Sequence, residues 1–492
     1  MKVSKILVLV SCILVCFPFD LPAHARRNAT EDQIHNVENG LLPPVVIKGQ
    51  PLIPMRLEDR MAHYKALGVS VAVIQDGRVE WARGYGVQRS GGTAVTPDTL
   101  FQAASISKPV TATAVLHLVE EGKVRLDEDI NRQLVSWKLP ESTLTQGKKV
   151  TVRELLSHSA GISVHGFPGY ASDSPVPTLR EVLDGQEPAN TPPIRSELAP
   201  GTRWEYSGGG YIILQQLILD VTKQSFPEFM DKTVLQPFRM AHSTFQQPLP
   251  AALRASAAVP YRASGRPVRG GWHTYPEMAA AGLWTTPSDL ARFAIGLQRS
   301  LAGKRDDVLT ARITREMMTR QMGEWGLGVQ VEGSGPGAHF QHAGGNEGYR
   351  CFLVAYEYTG MGAAIMTNSD KGDRLAMEII RSIAREYAWP DFMPVIRSVA
   401  HLSSQLLQQY AGRYQLDPQT ILTLVVEDNH LVAQLTDETP ISLLPSIDGT
   451  FFSVEDPLQL SFTKDMNGAV TGAHVLAYGV QFDAKRIGSS DK

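Results

Sequence analysis

The feature that most constrains this chain is a serine and a lysine, three residues apart, where an extended segment gives way to a helix. Ser105 and Lys108 lie within Phe-Gln-Ala-Ala-Ser-Ile-Ser-Lys-Pro at residues 101–109. Apolar residues then recur at three- and four-residue spacing up to Leu118, which predicts a helix. Pro109 fits its first turn, because the N–H there has no intrahelical partner. Residues i and i+3 share one helix face, so we expect the hydroxyl and the amine to touch.

The same spacing occurs twice more, and local context separates the three. Ser461 and Lys464 lie in strand-like sequence, where positions i and i+3 face opposite sides of a sheet. A third pair, at positions 489 and 492, belongs to a polar terminal tail. Only Ser105 opens a predicted helix, whose positive end would stabilise a developing oxyanion. This arrangement suits an activated nucleophile.

The first 25 residues have the pattern of an export signal. Two lysines precede an apolar run at residues 6–17, and Ala23 and Ala25 form a small-x-small cleavage site. A short membrane anchor is the alternative, but the run is too short to span a bilayer comfortably. We therefore expect an exported protein, periplasmic or secreted, with no membrane span in the mature chain.

Composition and missing motifs narrow the possible partners. The formal net charge of −3 gives no argument for nucleic acid. Once the signal is removed, the chain keeps only Cys351, so an internal disulfide is excluded and a buried structural thiol is predicted. Gly-x-Ser-x-Gly, His-Glu-x-x-His, Cys-x-x-Cys and Walker A patterns are missing. We expect no metal and no cofactor, and a small-molecule ester, amide or cell-wall-derived peptide as substrate; the oligomeric state stays open.

The periodicity along the chain predicts an α+β region followed by a small all-β domain. A hairpin around Asp76-Gly77 and the strands after Trp325 flank a helical region, and we expect these strands to share one antiparallel sheet flanked by helices. The tail alternates in short segments typical of a small β-barrel or sandwich. The predicted divisions are a signal peptide at 1–25, a loose leader at 26–50, a catalytic domain at 51–390, a linker at 391–404 and the small β domain at 405–492.

Two long segments inside the catalytic region have little periodicity. Residues 168–200 contain seven prolines, which indicates an ordered loop or a lid. Residues 246–276 carry four arginines, which we interpret as part of a solvated loop rather than an anion site: Arg254, Arg262, Arg266 and Arg269.

Two further segments supply groups that a serine nucleophile needs. Tyr206-Ser207-Gly208 places a phenol beside glycines, and His342-Ala343-Gly344-Gly345 precedes a predicted strand, with glycines that allow a substrate close approach. With these segments in this order, the sequence resembles the serine β-lactamase and penicillin-binding-protein superfamily, and within it the class C-like esterases and D-peptidases. The resemblance covers roughly residues 50–390 and includes Leu-Leu-Ser-His-Ser-Ala-Gly at 155–161, Ala-Gly-Leu-Trp-Thr-Thr at 281–286 and Gly-Gly-Asn-Glu-Gly-Tyr at 344–349.

The resemblance implies a role for each motif. Ser105 would be acylated, Lys108 would stabilise or accept its proton, and Tyr206 would relay that proton to the leaving group. In the third motif, which starts at His342, the N–H of Gly345, after Gly344, would complete an oxyanion hole with the Ser105 N–H. The tail from residue 410 resembles a small β-rich module often appended to such enzymes.

Two departures from the family pattern bear on the substrate. The second motif usually ends in asparagine, so Gly208 removes an amide that would bind a substrate acyl side chain. His342 stands where β-lactamases carry lysine. Histidine near pH 7 is mostly neutral and can also move protons, so His342 is a candidate catalytic residue beside Ser105, Lys108 and Tyr206. The sequence thus predicts an exported serine hydrolase acting on esters or small amides. The alternatives are a D,D-peptidase, D-aminopeptidase or weak β-lactamase, and a non-enzymatic protein that binds penicillin or cell-wall fragments.

Overall fold

The computed structural model describes residues 23–304, 308–417, 420–436, 440–477 and 480–488. The predicted α+β class is confirmed: helices surround a six-stranded antiparallel sheet, and the C-terminal part closes into an eight-stranded barrel. The α-helices are α1 (Ala23–Glu38), α2 (Leu57–His63), α3 (Ser107–Glu120), α4 (Ile130–Gln133), α5 (Val152–Leu156), α6 (Leu179–Asp184), α7 (Gly208–Thr222), α8 (Phe226–Met230), α9 (Met278–Ala281), α10 (Pro287–Leu301), α11 (Ala311–Met318), α12 (Gly372–Glu386) and α13 (Ser404–Gln408).

The strands fall into the sheet, the barrel and two short pairs. They are β1 (Val45–Ile47), β2 (Gly68–Gln75), β3 (Arg78–Gly86), β4 (Phe101–Gln102), β5 (Trp284–Thr285), β6 (Gln330–Glu332), β7 (His339–Asn346), β8 (Tyr349–Tyr356), β9 (Gly362–Thr367), β10 (Val395–Arg397), β11 (Gly412–Gln415), β12 (Ile421–Glu427), β13 (His430–Leu435), β14 (Ile441–Pro445), β15 (Phe451–Phe452), β16 (Leu458–Lys464), β17 (Val470–Ala477) and β18 (Val480–Ile487). Within the described ranges, no helix is both long and apolar enough to cross a bilayer.

The six-stranded sheet joins the two ends of the catalytic region. Its order is β3-β2-β9-β8-β7-β6, and β2 pairs antiparallel with β9. The first hairpin and the last strands therefore share one sheet, as predicted, and the helices between them are inserted.

Strand β2 is apolar throughout because both of its faces are buried. Val69, Val71 and Val73 belong to a core that includes residues of α1 and α12. Ala72 and Ile74 point the other way, into the large core that includes α3, α7 and α10. Because side chains alternate along a strand, this one segment ties the two cores together.

The prediction of a loose leader at residues 26–50 is wrong. Residues 23–38 form α1, which buries Ile34 and Val37 against α12, and the Ser382 hydroxyl donates to the Val37 carbonyl at 2.8 Å. The segment is polar on average, but a few apolar side chains on one helical face are enough when a second helix covers them. Of the predicted export signal, residues 1–22 lie outside the described residues.

The predicted linker is also more ordered than its composition indicates. Part of residues 391–404 forms β10, which pairs in parallel with β1. Beyond it, β11 to β18 close into the barrel, and an ion pair of 2.7 Å joins Arg374 of α12 to Asp456 of the barrel. The proline-rich segment 168–200 contains a helix of its own, α6, whose Thr178 side chain accepts from the Glu181 N–H.

Candidate active site

Ser105 lies at the turn between strand β4 and helix α3. The preceding residue, Ala104, has φ +49°, a left-handed backbone conformation that residues other than glycine rarely adopt. A 3-10 turn over Ala104–Ile106 then leads into α3. The Ser107 hydroxyl fixes this turn, because it donates to the Ala104 carbonyl at 2.6 Å and accepts from the Leu283 N–H at 3.0 Å. Ser105 therefore lies at the start of the helix, as its sequence predicts.

Lys108 is placed on the same face one turn later. Its Nζ lies 3.0 Å from Ser105 Oγ and 3.0 Å from the Ala280 carbonyl oxygen of α9. The side chain is only 2% exposed, and burial lowers its pKa from 10.5 to about 7. A substantial fraction of the amine is therefore neutral at pH 7. In the neutral form, the amine lone pair can accept the hydrogen of the Ser105 hydroxyl, while an amine N–H donates to the Ala280 carbonyl.

Tyr206 comes from the segment just before α7. The face of its ring lies 4.9 Å from Lys108 Nζ. Burial raises the pKa of Tyr206, and the neighbouring Ser105 side chain offsets part of that increase. The phenol is therefore protonated near neutral pH and acts as a hydrogen donor.

The third motif lies on β7, half of which is a free sheet edge. Strand β6 pairs only with residues 339–341 of β7. The Glu357 N–H bonds to the Ala338 carbonyl, and hydrogen-bonded pairs alternate along an antiparallel ladder. His342, Gly344 and Asn346 therefore bond to β8, whereas the Gly345 N–H points to the free edge, where the predicted oxyanion donor is required.

Gly344 is needed for a close approach of two backbones. A Cβ at this position would lie 2.2 Å from the Ala103 carbonyl oxygen and 2.4 Å from Cys351 Sγ. Glycine alone lets β7 pack against the segment that carries Ser105. The Cys351 thiol is buried in the same contact and points to the Ala103 carbonyl at 3.0 Å, which agrees with the predicted structural thiol.

His342 is a buried, neutral imidazole. Its Nδ1 lies 2.6 Å from the Ala343 carbonyl oxygen, so that nitrogen carries the hydrogen. Burial, and then the nearby Lys108, lower the pKa of His342 to about 3. The residue therefore supplies no positive charge where β-lactamases have a lysine.

Three aromatic side chains that the sequence analysis did not assign to the site surround Tyr206. The His158 ring lies 4.3 Å from the Tyr206 ring, and its Nδ1 accepts from the Ser207 N–H at 3.1 Å. Trp325 contacts Tyr206, with 5.7 Å between ring centroids, and Trp204 stacks on Trp325 at 5.7 Å and 23°. His158 and Trp325 come from segments distant from Tyr206 in the chain, whereas Trp204 lies two residues before it. Only His158 stood within a quoted motif.

The space that a side chain at position 208 would need is filled by a neighbouring loop. A Cβ added at Gly208 would lie 2.9 Å from Cε2 of Phe167 and 3.2 Å from the His165 carbonyl oxygen. An asparagine therefore does not fit here without a shift of the loop.

The two arginines near the third motif, Arg262 and Arg350, form ion pairs with acidic side chains. Arg262 pairs with Glu347 at 2.5 Å, and Glu347 also lies 3.1 Å from His273 Nε2. Arg350 is 3.1 Å from Asp370 and donates to the Asn346 carbonyl. The Arg262 side chain is 51% exposed, which agrees with the predicted solvated arginine loop, and its ion pair with Glu347 lies beside the β7–β8 turn. In the described part of the chain, no cluster of three or more His, Cys, Asp or Glu side chains could hold a metal ion.

The fold and the arrangement of Ser105, Lys108 and Tyr206 are of the type represented by serine β-lactamases and penicillin-binding proteins. A profile of the family described as Beta-lactamase matches residues 56–387. The chain belongs to this family. A second profile, described as a domain of unknown function (DUF3471), matches residues 397–489, the region of the barrel.

Two curated proteins are similar to parts of this chain. Penicillin-binding protein 4 of Amycolatopsis lactamdurans is 26% identical over 348 residues, covering 65% of this chain and 86% of that protein. Protein flp of Staphylococcus aureus strain N315 is 29% identical over 183 residues, which cover 37% of this chain and 35% of that protein. The chain thus spans about a third of the length of flp.

Two solved structures show the same fold. The octameric penicillin-binding protein homologue from Pyrococcus abyssi has a TM-score of 0.59 at 22% identity, and the match covers 87% of this chain and 98% of that one. The D-amino acid amidase from Ochrobactrum anthropi SV3 has a TM-score of 0.56 at 20% identity, with 73% and 98% covered.

Proposed function

We propose that this chain is an exported serine hydrolase that forms an acyl-enzyme on Ser105 and cleaves esters or small amides. The observation that carries the proposal is the buried Lys108 amine, 3.0 Å from Ser105 Oγ, with its pKa lowered to about 7. A base with a pKa near the working pH combines a populated neutral form with adequate basicity.

The geometry supports a two-step acyl transfer. Neutral Lys108 accepts the hydroxyl proton as Ser105 Oγ attacks the substrate carbonyl, and the N–H groups of Ser105 and Gly345 stabilise the oxyanion. The tetrahedral intermediate collapses when the leaving oxygen or nitrogen takes a proton from the Tyr206 phenol, which regains one from Lys108. Water then attacks the acyl-enzyme by the reverse sequence and releases the acid.

Charge near the site favours substrates without a carboxylate. His342 is neutral, and the two arginines beside the third motif, Arg262 and Arg350, already face Glu347 and Asp370. A substrate carboxylate would therefore have to compete with existing ion pairs. We therefore expect neutral esters and amides to be better substrates than β-lactams and peptides with a free C-terminal carboxylate. Because similar proteins are named as a D-amino acid amidase and a penicillin-binding protein, D-amino-acid amides are also worth testing as substrates.

The test is labelling with a fluorophosphonate followed by peptide mass spectrometry. We expect one adduct, on Ser105, and loss of labelling in Ser105→Ala. Ser461→Ala is a matched control, because Ser461 has the same spacing to a lysine but lies on β16. Folded protein without an adduct on Ser105 would contradict the proposal.

A substrate panel then ranks the activities. p-Nitrophenyl acetate, a D-alanyl amide and nitrocefin separate esterase, amidase and β-lactamase activity, and we expect the ester to have the highest kcat/KM. Dominant nitrocefin turnover would reverse this order. Stoichiometric acylation without turnover would indicate a binding protein instead. For export, N-terminal sequencing of protein secreted by a bacterial host should find cleavage after Ala25.

A further inference from the structure

A pair of stacked tryptophans lies beside Tyr206, and the outer one, Trp204, is exposed. Trp204 and Trp325 are nearly parallel, with ring centroids 5.7 Å apart and an interplanar angle of 23°. Trp204 is 37% exposed, so part of its ring is open to a ligand. Stacked aromatic faces of this kind bind planar apolar groups with defined orientation.

The inner ring of the pair is fixed by the site itself. Trp325 contacts His158 at 4.9 Å, His342 at 5.5 Å and Tyr206 at 5.7 Å between ring centroids. Its main chain is held as well, since the Trp325 N–H donates to Met322. Trp204 therefore rests on a rigid support, and a ligand stacked on it needs little reordering of the protein.

The position of the pair relative to Tyr206 assigns it to one part of the substrate. In the proposed mechanism the departing group takes its proton from the Tyr206 hydroxyl and must lie beside it. Trp204 is two residues before Tyr206 in the chain, and their ring centroids are 6.5 Å apart. The polar neighbours Arg203 and Glu205 pair with each other at 2.8 Å, so charge on either is already compensated.

We propose that Trp204, supported by Trp325, forms a subsite for an aromatic leaving group, so that the preferred substrates are neutral esters or amides of aromatic alcohols or amines. This inference rests on the proposed acyl-enzyme mechanism, because that mechanism defines which part of the substrate meets Tyr206.

The test compares two pairs of esters. Benzyl acetate and ethyl acetate differ on the leaving-group side, while ethyl phenylacetate and ethyl acetate differ on the acyl side; all leaving alcohols have similar basicity. We expect the wild type to prefer benzyl over ethyl acetate in kcat/KM by about five- to tenfold. Trp204→Ala should abolish that preference, Trp204→Phe should retain most of it, and neither should change the acyl-side ratio.

Controls separate this inference from the proposed function. Tyr358→Ala removes an exposed aromatic residue in the β8–β9 turn and should leave both ratios unchanged. If no ester is turned over and Ser105 takes no label, the proposed function fails. If esters are cleaved but Trp204→Ala keeps the benzyl preference, or alters the phenylacetate ratio instead, the subsite assignment is wrong and the hydrolase stands. The phenylalanine variant covers the case in which alanine disturbs the fold.

Discussion

Replacing Lys108 by methionine should reduce kcat/KM by about 10²- to 10⁴-fold and should stabilise the protein by an amount that depends on pH. Lys108 is buried, and its pKa in the fold is about 7 instead of 10.5. At 1.36 kcal/mol per pKa unit, this difference corresponds to about 5 kcal/mol of unfavourable free energy for the buried ammonium. Methionine has a similar length and no charge, so it removes that penalty. It also loses the contacts to Ser105 and Ala280, worth about 1 kcal/mol each, which leaves a gain of roughly 3 kcal/mol.

The sign of the pH effect follows from proton uptake. Below pH 7, folded and unfolded chains both carry the proton, and the full penalty destabilises the wild type. Between pH 7 and 10.5 the unfolded chain binds more protons, so the wild type gains stability as the pH rises, by up to about 1.4 kcal/mol per unit. The advantage of Lys108→Met is therefore largest below pH 7 and shrinks to zero or reverses near pH 10.

The assay is urea unfolding followed by tryptophan fluorescence at several pH values. All seven tryptophans precede residue 390, so the signal reports the catalytic region and not the barrel. In parallel, wild-type kcat/KM for an ester should rise about tenfold per pH unit below pH 7 and level off above it, whereas Lys108→Met should lose about 10²- to 10⁴-fold. Lys232→Met, at an exposed position, is the control for a lysine without such a burial cost. A stability difference that stays constant from pH 6 to 9.5, or a flat wild-type rate profile, would refute the reasoning.

Three further predictions concern packing around the site. Gly344→Ala should lower kcat/KM at least about 100-fold and destabilise the fold by about 1–3 kcal/mol, because the added Cβ would lie 2.2 Å from a backbone oxygen. The control is Gly210→Ala, whose added Cβ would have its nearest contact at 3.5 Å; it should be neutral or stabilising in the same unfolding assay. His158→Phe keeps a ring but loses the acceptor for a backbone N–H, so we expect kcat to fall about tenfold with little change in KM; an unchanged kcat would argue against positioning of the phenol. Arg374→Met leaves the buried Asp456 carboxylate unpaired, so limited proteolysis should cut before the barrel faster at pH 7 than in the wild type.

Local spacing predicted the parts of the site that depend on one segment. The Ser105–Lys108 contact follows from helical geometry, and the role of Gly344 follows from the close approach that only glycine permits. The shared sheet was predictable because its strands alternate or are continuously apolar. The extent of burial that lowers the pKa of Lys108 was not predictable from the sequence, because it depends on helices that are distant in the chain.

Contacts between distant segments escaped the sequence analysis for a common reason. Trp204, Trp325 and His158 meet across 167 positions of sequence, and each one alone is an ordinary aromatic residue. Helix α1 was missed because two buried side chains on one face, Ile34 and Val37, do not raise the average apolarity of a polar segment. Such contacts are decided by tertiary packing, which residue spacing does not encode.

The acceptor that orients the Lys108 amine belongs to the main chain. Lys108 Nζ points to the carbonyl of Ala280, and every amino acid at position 280 would present the same oxygen. Point mutation at that site can change bulk but cannot delete the hydrogen bond, so this part of the machinery is protected from mutational drift. Its removal requires a change in the path of the chain, such as a one-residue deletion within the short helix at 278–281. Ala279, Ala280 and Ala281 are buried, so packing limits which side chains this helix accepts, but a substitution that fits leaves the carbonyl that orients the amine in place.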